Sequence, residues 1–151
     1  MSVHYGDAAT GLVPYGYPAF AQSLIRKRFT IDVDALVADD LLIVGVLPLG
    51  CSPSYMVLDS DALDVDAEPT AAVKVGLIND AIDDVSEGSK VEELFTATEA
   101  VRAGGVEVGE TAAVVRVTPV NYDRAIALEV TAGAATAKAG QIGLTVFYTT
   151  E

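Results

Sequence analysis

The chain has one cysteine, one histidine and no tryptophan, and each scarcity removes a class of function. With Cys51 alone, no internal disulfide can form, and synthesis in an intracellular compartment is expected. Cys51 itself reads as a small buried or turn-edge hydrophobe rather than a nucleophile. His4 lies four residues from the start, so the body of the chain has no histidine for a Ser-His-Asp or Cys-His arrangement. No thiolate cluster or histidine pair is present for zinc or iron. Cations are also scarce: 9 Lys and Arg stand against 22 Asp and Glu, a formal charge of −13. Nucleic-acid binders show the opposite bias, because phosphate contacts draw on Lys and Arg. An acidic body of this kind is repelled by nucleic acid and by anionic lipid, and its charge favours solubility. No apolar run approaches the roughly 18 residues of a spanning helix. The one basic cluster follows an apolar stretch rather than preceding it, so no signal peptide is expected.

What the chain does have is small and β-branched apolar side chains in alternation. Apolar residues make up 51% of its 151 residues and aromatics only 7%. Phe29, Ile31 and Val33 alternate with Thr30, Asp32 and Asp34, the period of a half-buried strand. "LLIVGVLPLG" (Leu41 to Gly50) reads as a fully buried strand and "SYMVLDSD" (Ser54 to Asp61) as a short one ending in acids. Val73, Val75 and Leu77 share one face, as do Ala113, Val115 and Val117 in "TAAVVRVTPV". Ile126, Leu128 and Val130 point inward with Glu129 outward, and Ile142, Leu144, Val146 and Tyr148 line up in the last segment. "TAGAATAKAG" (Thr131 to Gly140) reads as a hairpin loop joining the last two strands. Between Ser89 and Gly105, Val91, Leu94 and Phe95 recur at helical spacing, which predicts one or two helical turns before an extended loop. The expectation is an all-β, single-domain sandwich or barrel with an extended N-terminal arm and one short helical segment. The arm spans residues 1–28 and the core residues 29–151.

Candidate chemistry is sparse. "GVEVGET" (Gly105 to Thr111) has glycines in the outline of a phosphate loop but lacks the Lys-Ser/Thr that completes one. Three Asp-x-Asp pairs, Asp32/Asp34, Asp59/Asp61 and Asp64/Asp66, put carboxylates on a common face where a hard cation could sit. "DSDALDVDAE" (Asp59 to Glu68) is the densest of these, without the glycine and glutamate spacing of an EF-hand loop. It reads as a solvated acidic loop. Paired carboxylates also serve glycoside hydrolysis, but no pair stands out and no tryptophan offers a sugar platform. No catalytic residue, cofactor or metal ligand is assigned, and the chain is not expected to be an enzyme.

The first thirty residues differ from the rest. Arg26, Lys27 and Arg28 oppose a single acid, Asp7, for a net +2, which leaves −15 on the other 121. Pro14 and Pro18 fix their own φ and hold Val13 and Tyr17 extended. Tyr15, Tyr17 and Phe20 are interleaved with them, and Tyr and Arg are the residue types that most often anchor interfaces. The arm is read either as a strap over its own core or as a contact to a neighbouring molecule.

"PYGYPAFAQSLIRKRFTIDV", "LLIVGVLPLGCSPSYMVLDSDALD", "VKVGLIND" and the closing "GQIGLTVFYTT" together resemble the head decoration, or cement, proteins of long-tailed double-stranded DNA bacteriophages. The resemblance runs from about Pro14 to Thr149 and is weaker from Ala81 to Glu110. It implies a structural virion protein, made in the host cytoplasm, that binds the outer surface of the expanded capsid. There it would sit as a homotrimer against the major capsid protein, bridging and stabilising neighbouring subunits. Tyr15, Tyr17, Phe20, Arg26, Lys27 and Arg28 are the interface residues in this reading, with no nucleic-acid or membrane partner. The alternative is a β-sandwich module for glycan or calcium on a virion or cell surface.

Overall fold

The computed structural model describes residues 1–12 and 23–150. Among them, nine strands form two sheets. These are β1 (Val3–Tyr5), β2 (Ile25–Val33), β3 (Leu41–Leu47), β4 (Cys51–Ser60), β5 (Ala72–Ala81), β6 (Val91–Ala97), β7 (Gly105–Gly109), β8 (Arg124–Ala132) and β9 (Gly140–Thr150). Two short helices, α1 (Glu99–Ala103) and α2 (Ala112–Val115), and a 3-10 turn at Ile82–Asp84 complete the set. One sheet runs β1-β3-β8-β5-β6 and the other β2-β9-β4-β7. Only β1 and β3 pair in parallel; the remaining pairs are antiparallel. The all-β expectation holds, and the architecture is a two-sheet sandwich.

Alternation places the core as expected. Phe29, Ile31 and Val33 of β2 and Ile142, Leu144, Val146 and Tyr148 of β9 meet Val73, Val75 and Leu77 of β5 and Ile126, Leu128 and Val130 of β8 in one buried cluster. Two aromatic rings set the fit between the sheets. A Cβ on Gly45 of β3 would lie 2.5 Å from the Phe29 ring, and one on Gly109 of β7 would lie 2.3 Å from Phe95 of β6. Each sheet therefore sends one phenylalanine over a glycine of the other, so large and small positions interdigitate. A second apolar cluster lies on the far face of the five-stranded sheet. Leu41, Ile43, Ile78, Val91, Ala125 and Ala127 are covered there by Val3, Ala9, Ile82 and Val85.

Three local expectations are corrected. Val91–Ala97 is strand, not helix. Its register skips Leu94, because Val75 faces Phe95 while Gly76 faces Glu93. This bulge turns Leu94 and Phe95 both inward and so imitates a helical period. The helix starts later, at Glu99, and stops at Gly104, whose φ of 80° is open to glycine at no steric cost. "TAAVVRVTPV" opens as α2 rather than a strand: the Thr111 hydroxyl accepts from Val114 N–H and caps it, leaving Val115 exposed. The last two strands are not a hairpin, since β8 and β9 belong to different sheets and residues 133–139 cross between them. Strand β2 also starts at Ile25, four residues before Phe29, so Arg26, Lys27 and Arg28 lie within it.

Because the Phe29 ring fills the space over Gly45, Gly45→Ala should destabilise the fold by about 1–3 kcal/mol. Chemical denaturation would show it as a lower midpoint at unchanged slope; an unaltered midpoint would mean that the ring is not packed on this glycine.

Candidate functional site

The acids expected to form a solvated or calcium-binding loop are used by the fold. Asp64 is buried, and its two oxygens accept from the backbone N–H groups of Asp66 (3.4 Å), Thr70 (2.8 Å), Ala71 (3.0 Å), Ala135 (3.0 Å) and Thr136 (3.0 Å). Residues 61–71 carry the chain from β4 to β5 and residues 133–139 from β8 to β9, so one carboxylate joins two of the connections that cross between the sheets. Burial alone would raise its pKa; the donors at Thr136, Ala135, Ala71 and Thr70 outweigh that and hold it well below the usual carboxylate range. Asp66 accepts from Glu68 N–H (3.0 Å) and the Thr136 hydroxyl (2.7 Å), and Asp61 accepts from Gln141 N–H (2.8 Å). Among the described residues no group of three His, Cys, Asp or Glu is arranged to hold a metal ion. Cys51 is buried and its thiol is pushed up to about 11, by burial and then by the charge of Asp123. At neutral pH it is protonated and a poor nucleophile.

The basic triplet is divided by the strand that contains it. Arg26 and Arg28 point to the outer face of the four-stranded sheet, whereas Lys27 shares the side of Phe29 and lines a small hollow with Asp7 and Ala8. Arg28 lies across β9 and reaches Asp59 of β4, with Nε to Oδ1 at 3.1 Å and Nη2 to Oδ2 at 2.5 Å. The pair passes over Gly143, where a Cβ would lie 2.3 Å from Arg28. The Asp59 hydrogen bond raises the Arg28 pKa. Both side chains are about one-third exposed, so the pair contributes at most about 1 kcal/mol. Arg26 pairs with no carboxylate among the described residues and holds its guanidinium 6.0 Å from the centre of the Phe147 ring. Phe147 stacks on Tyr55 at 4.3 Å between centroids, 13° from parallel.

Register extends this face. Val57 opposes Val108, and Asp59 opposes Val106. Val106 and Val108 are 62% and 54% exposed, at the sheet's edge. The far face of the five-stranded sheet is covered by the chain's own residues, whereas this one presents cation, aromatic pair and valines outward. Of the residues expected at an interface, Arg26 and Arg28 are thus brought together here and Lys27 is not; Tyr15, Tyr17 and Phe20 lie outside the described residues. Sequence reading missed Tyr55 and Phe147, although Phe147 carried a signal as the one aromatic among outward threonines in β9.

No protein-family model matches the chain, and no curated protein matches it. Three solved structures are similar. A chain in the capsid of Ralstonia phage GP4 superimposes with a TM-score of 0.93 at 29% identity, covering 99% of this chain and 98% of that one. The cyanophage Pam1 capsid asymmetric unit gives 0.64 at 19% identity, covering 92% and 93%. The acidic stable capsid of Helicobacter pylori bacteriophage KHP30 gives 0.56 at 10% identity, covering 85% and 90%. The last two share the fold, while the first shares fold, length and over a quarter of its residues. The likeness supports a structural, capsid-associated virion protein.

Asp64 gives this end of the sandwich a defined acid sensitivity. Its pKa is lower folded than unfolded, so its stabilisation is complete above the ordinary carboxylate range near 3.8 and fades as pH falls below it. Asp64→Asn presents an N–H₂ to donors that require an acceptor. Urea midpoints measured from pH 7 to pH 2 should be lower for the variant at pH 7 and converge on those of the parent chain at the acid end; parallel curves would exclude the role.

Proposed function

We propose that the chain is a capsid decoration protein, which binds the outer surface of an expanded phage shell and stabilises it by bridging neighbouring subunits of the major capsid protein. The observation that carries the reading is the match, end to end and at equal length, to a chain within a phage capsid. The charge distribution supports an outward position, because a body at −13 is repelled by packaged DNA. A homotrimer at the junctions between capsid subunits is the proposed assembly.

The docking surface proposed is the outer face of β2-β9-β4-β7, with Arg26 over the Tyr55–Phe147 pair at its centre. The arm read over residues 1–28 joins it through residues 13–24, since Val3–Tyr5 and Ile25–Arg28 are held in the sheets. Tyr15, Tyr17 and Phe20 are proposed to pack across the subunit junction beside Arg26. Arg28 supports the face through Asp59, while Lys27, on the opposite side of β2, is proposed to meet the partner from the hollow beside Asp7 and Ala8. A cation beside an aromatic pair that association would desolvate forms the kind of compact anchor that dominates interface energetics.

Co-sedimentation with expanded, undecorated heads of the parent phage tests the proposal. Saturable binding near one copy per capsid subunit is expected. Arg26→Ala should weaken it about fivefold or more and flatten its salt dependence, while Arg28→Ala should act mainly on stability. A folded chain that leaves competent heads undecorated would sink the reading. Unchanged binding by Arg26→Ala would remove this face from it.

A further inference from the structure

At one end of the five-stranded sheet, side chains of β5, β6 and the start of β8 and the segment 116–122 line an open cleft of about 460 Å³. Its wall holds Asn79, Glu92, Arg116, Thr118, Tyr122 and Arg124. Arg124 is only 4% exposed. It donates to the Thr118 carbonyl at 3.1 Å and to Asn79 Oδ1 at 3.4 Å, both neutral acceptors. No carboxylate among the described residues forms an ion pair with it. Asn79 is fixed between charges: its Nδ2 donates to Glu92 Oε2, and its carbonyl accepts from the Tyr122 hydroxyl. The acid therefore reaches Arg124 through an amide and does not neutralise it directly.

A guanidinium has five N–H donors, and a buried one without an anion is costly unless something completes it. Burial here disfavours the charged form, though Tyr122 and Glu92 partly restore it. Arg116 stands exposed on the same cleft, so its wall carries two cations and one acid on a chain of −13. We propose that this cleft is a carboxylate-binding site, filled by a glutamate or aspartate side chain of a protein partner. A carboxylate matches the guanidinium fork in two parallel hydrogen bonds. A monoanion suits a wall that already contains Glu92 better than a phosphate dianion does. The acidic body weakens the binding of a free anion without abolishing it, whereas a side chain carried by a docked protein is held at high effective concentration. The site is independent of the shell-docking face, and its failure would leave that reading untouched.

The test is a titration of the intact chain followed by the arginine Nε–H resonances, with Arg124 assigned by the loss of its signal in Arg124→Lys. The probe is N-acetyl-glutamate N-methylamide, with the glutamine counterpart, acetate and inorganic phosphate as comparisons. A saturable shift at Arg124 is expected with the glutamate probe and none with the glutamine one. Because Arg116 is exposed, Arg116→Ala should fold and bind the glutamate probe at least about threefold more weakly. Absence of the shift, an equal response to glutamine, or unchanged binding by Arg116→Ala would overturn the site. Tighter binding of acetate or phosphate than of the glutamate probe would overturn the assignment to a protein side chain.

Discussion

The sandwich depends on one desolvated carboxylate. Asp64 accepts N–H groups from its own crossing and from the crossing that returns the chain from β8 to β9. Without it, the N–H of buried Ala71 would lose its acceptor, which native structures seldom tolerate, and three further backbone donors at this end would be released to solvent. Neighbouring contacts reinforce the same join: Arg102 of α1 donates to the carbonyl of Ala71 at 2.8 Å, and the Thr70 hydroxyl donates to the carbonyl of Gly133 at 2.8 Å. With both crossings tied, the relative position of the sheets is set at this end. The two phenylalanine-on-glycine contacts set it in the interior. Rigidity of this kind lets an outer sheet face act as a preformed surface, because little ordering is left to be done on association.

The two outer faces have different fates for a reason visible in the topology. The five-stranded sheet receives β1 and the 3-10 turn, whose neighbours Val3, Ala9, Ile82 and Val85 seal apolar residues that would otherwise face water. The four-stranded sheet receives no comparable cover among the described residues. Its face is kept soluble by Arg26 and the Arg28–Asp59 pair, with the half-buried aromatic stack and exposed valines between them. Charge beside half-buried aromatic rings and exposed valines is the composition of an interface rim and anchor, not of a core.

Much of this fold was legible from alternation alone. β2, β5, β8 and β9 each bury the residues that a period of two selects, because both sheets have one face on a common core, and β3 is buried on both faces as its continuous apolar run implies. Failures arose where local geometry breaks the period. A bulge at Leu94 produced a false helix, and a threonine cap turned an alternating valine stretch into a true one. The β8–β9 hairpin failed because adjacency in sequence does not say which sheet a strand joins. The basic triplet shows the same limit at the site. Its composition pointed to a charged surface, but strand alternation sends Lys27 to the other side and cross-strand register delivers Arg28 to Asp59. Asp64 carried no local signal, since four of its five donors lie six to 72 residues away.

The use of charge connects these observations. A chain this acidic has many carboxylates to place, and those of residues 59–66 turn inward to backbone donors or across the sheet to Arg28, so they serve cohesion. Cations are few enough that their positions discriminate. Arg28 and Lys74 are matched by Asp59 and Glu129. Arg26 and Arg124 have no such carboxylate among the described residues, and one lies on the open sheet face, the other in a cleft. On a body of net −13, an unmatched cation is a local minimum for any approaching anion and a point of repulsion for none of its own acids. Association with another protein is the event that can satisfy both arginines, through side chains brought close by shape rather than by long-range attraction. A protonated, buried Cys51 offers no competing chemistry. What distinguishes this molecule is therefore the fit of its surfaces, which is what the proposed capsid-stabilising role would demand of its fold.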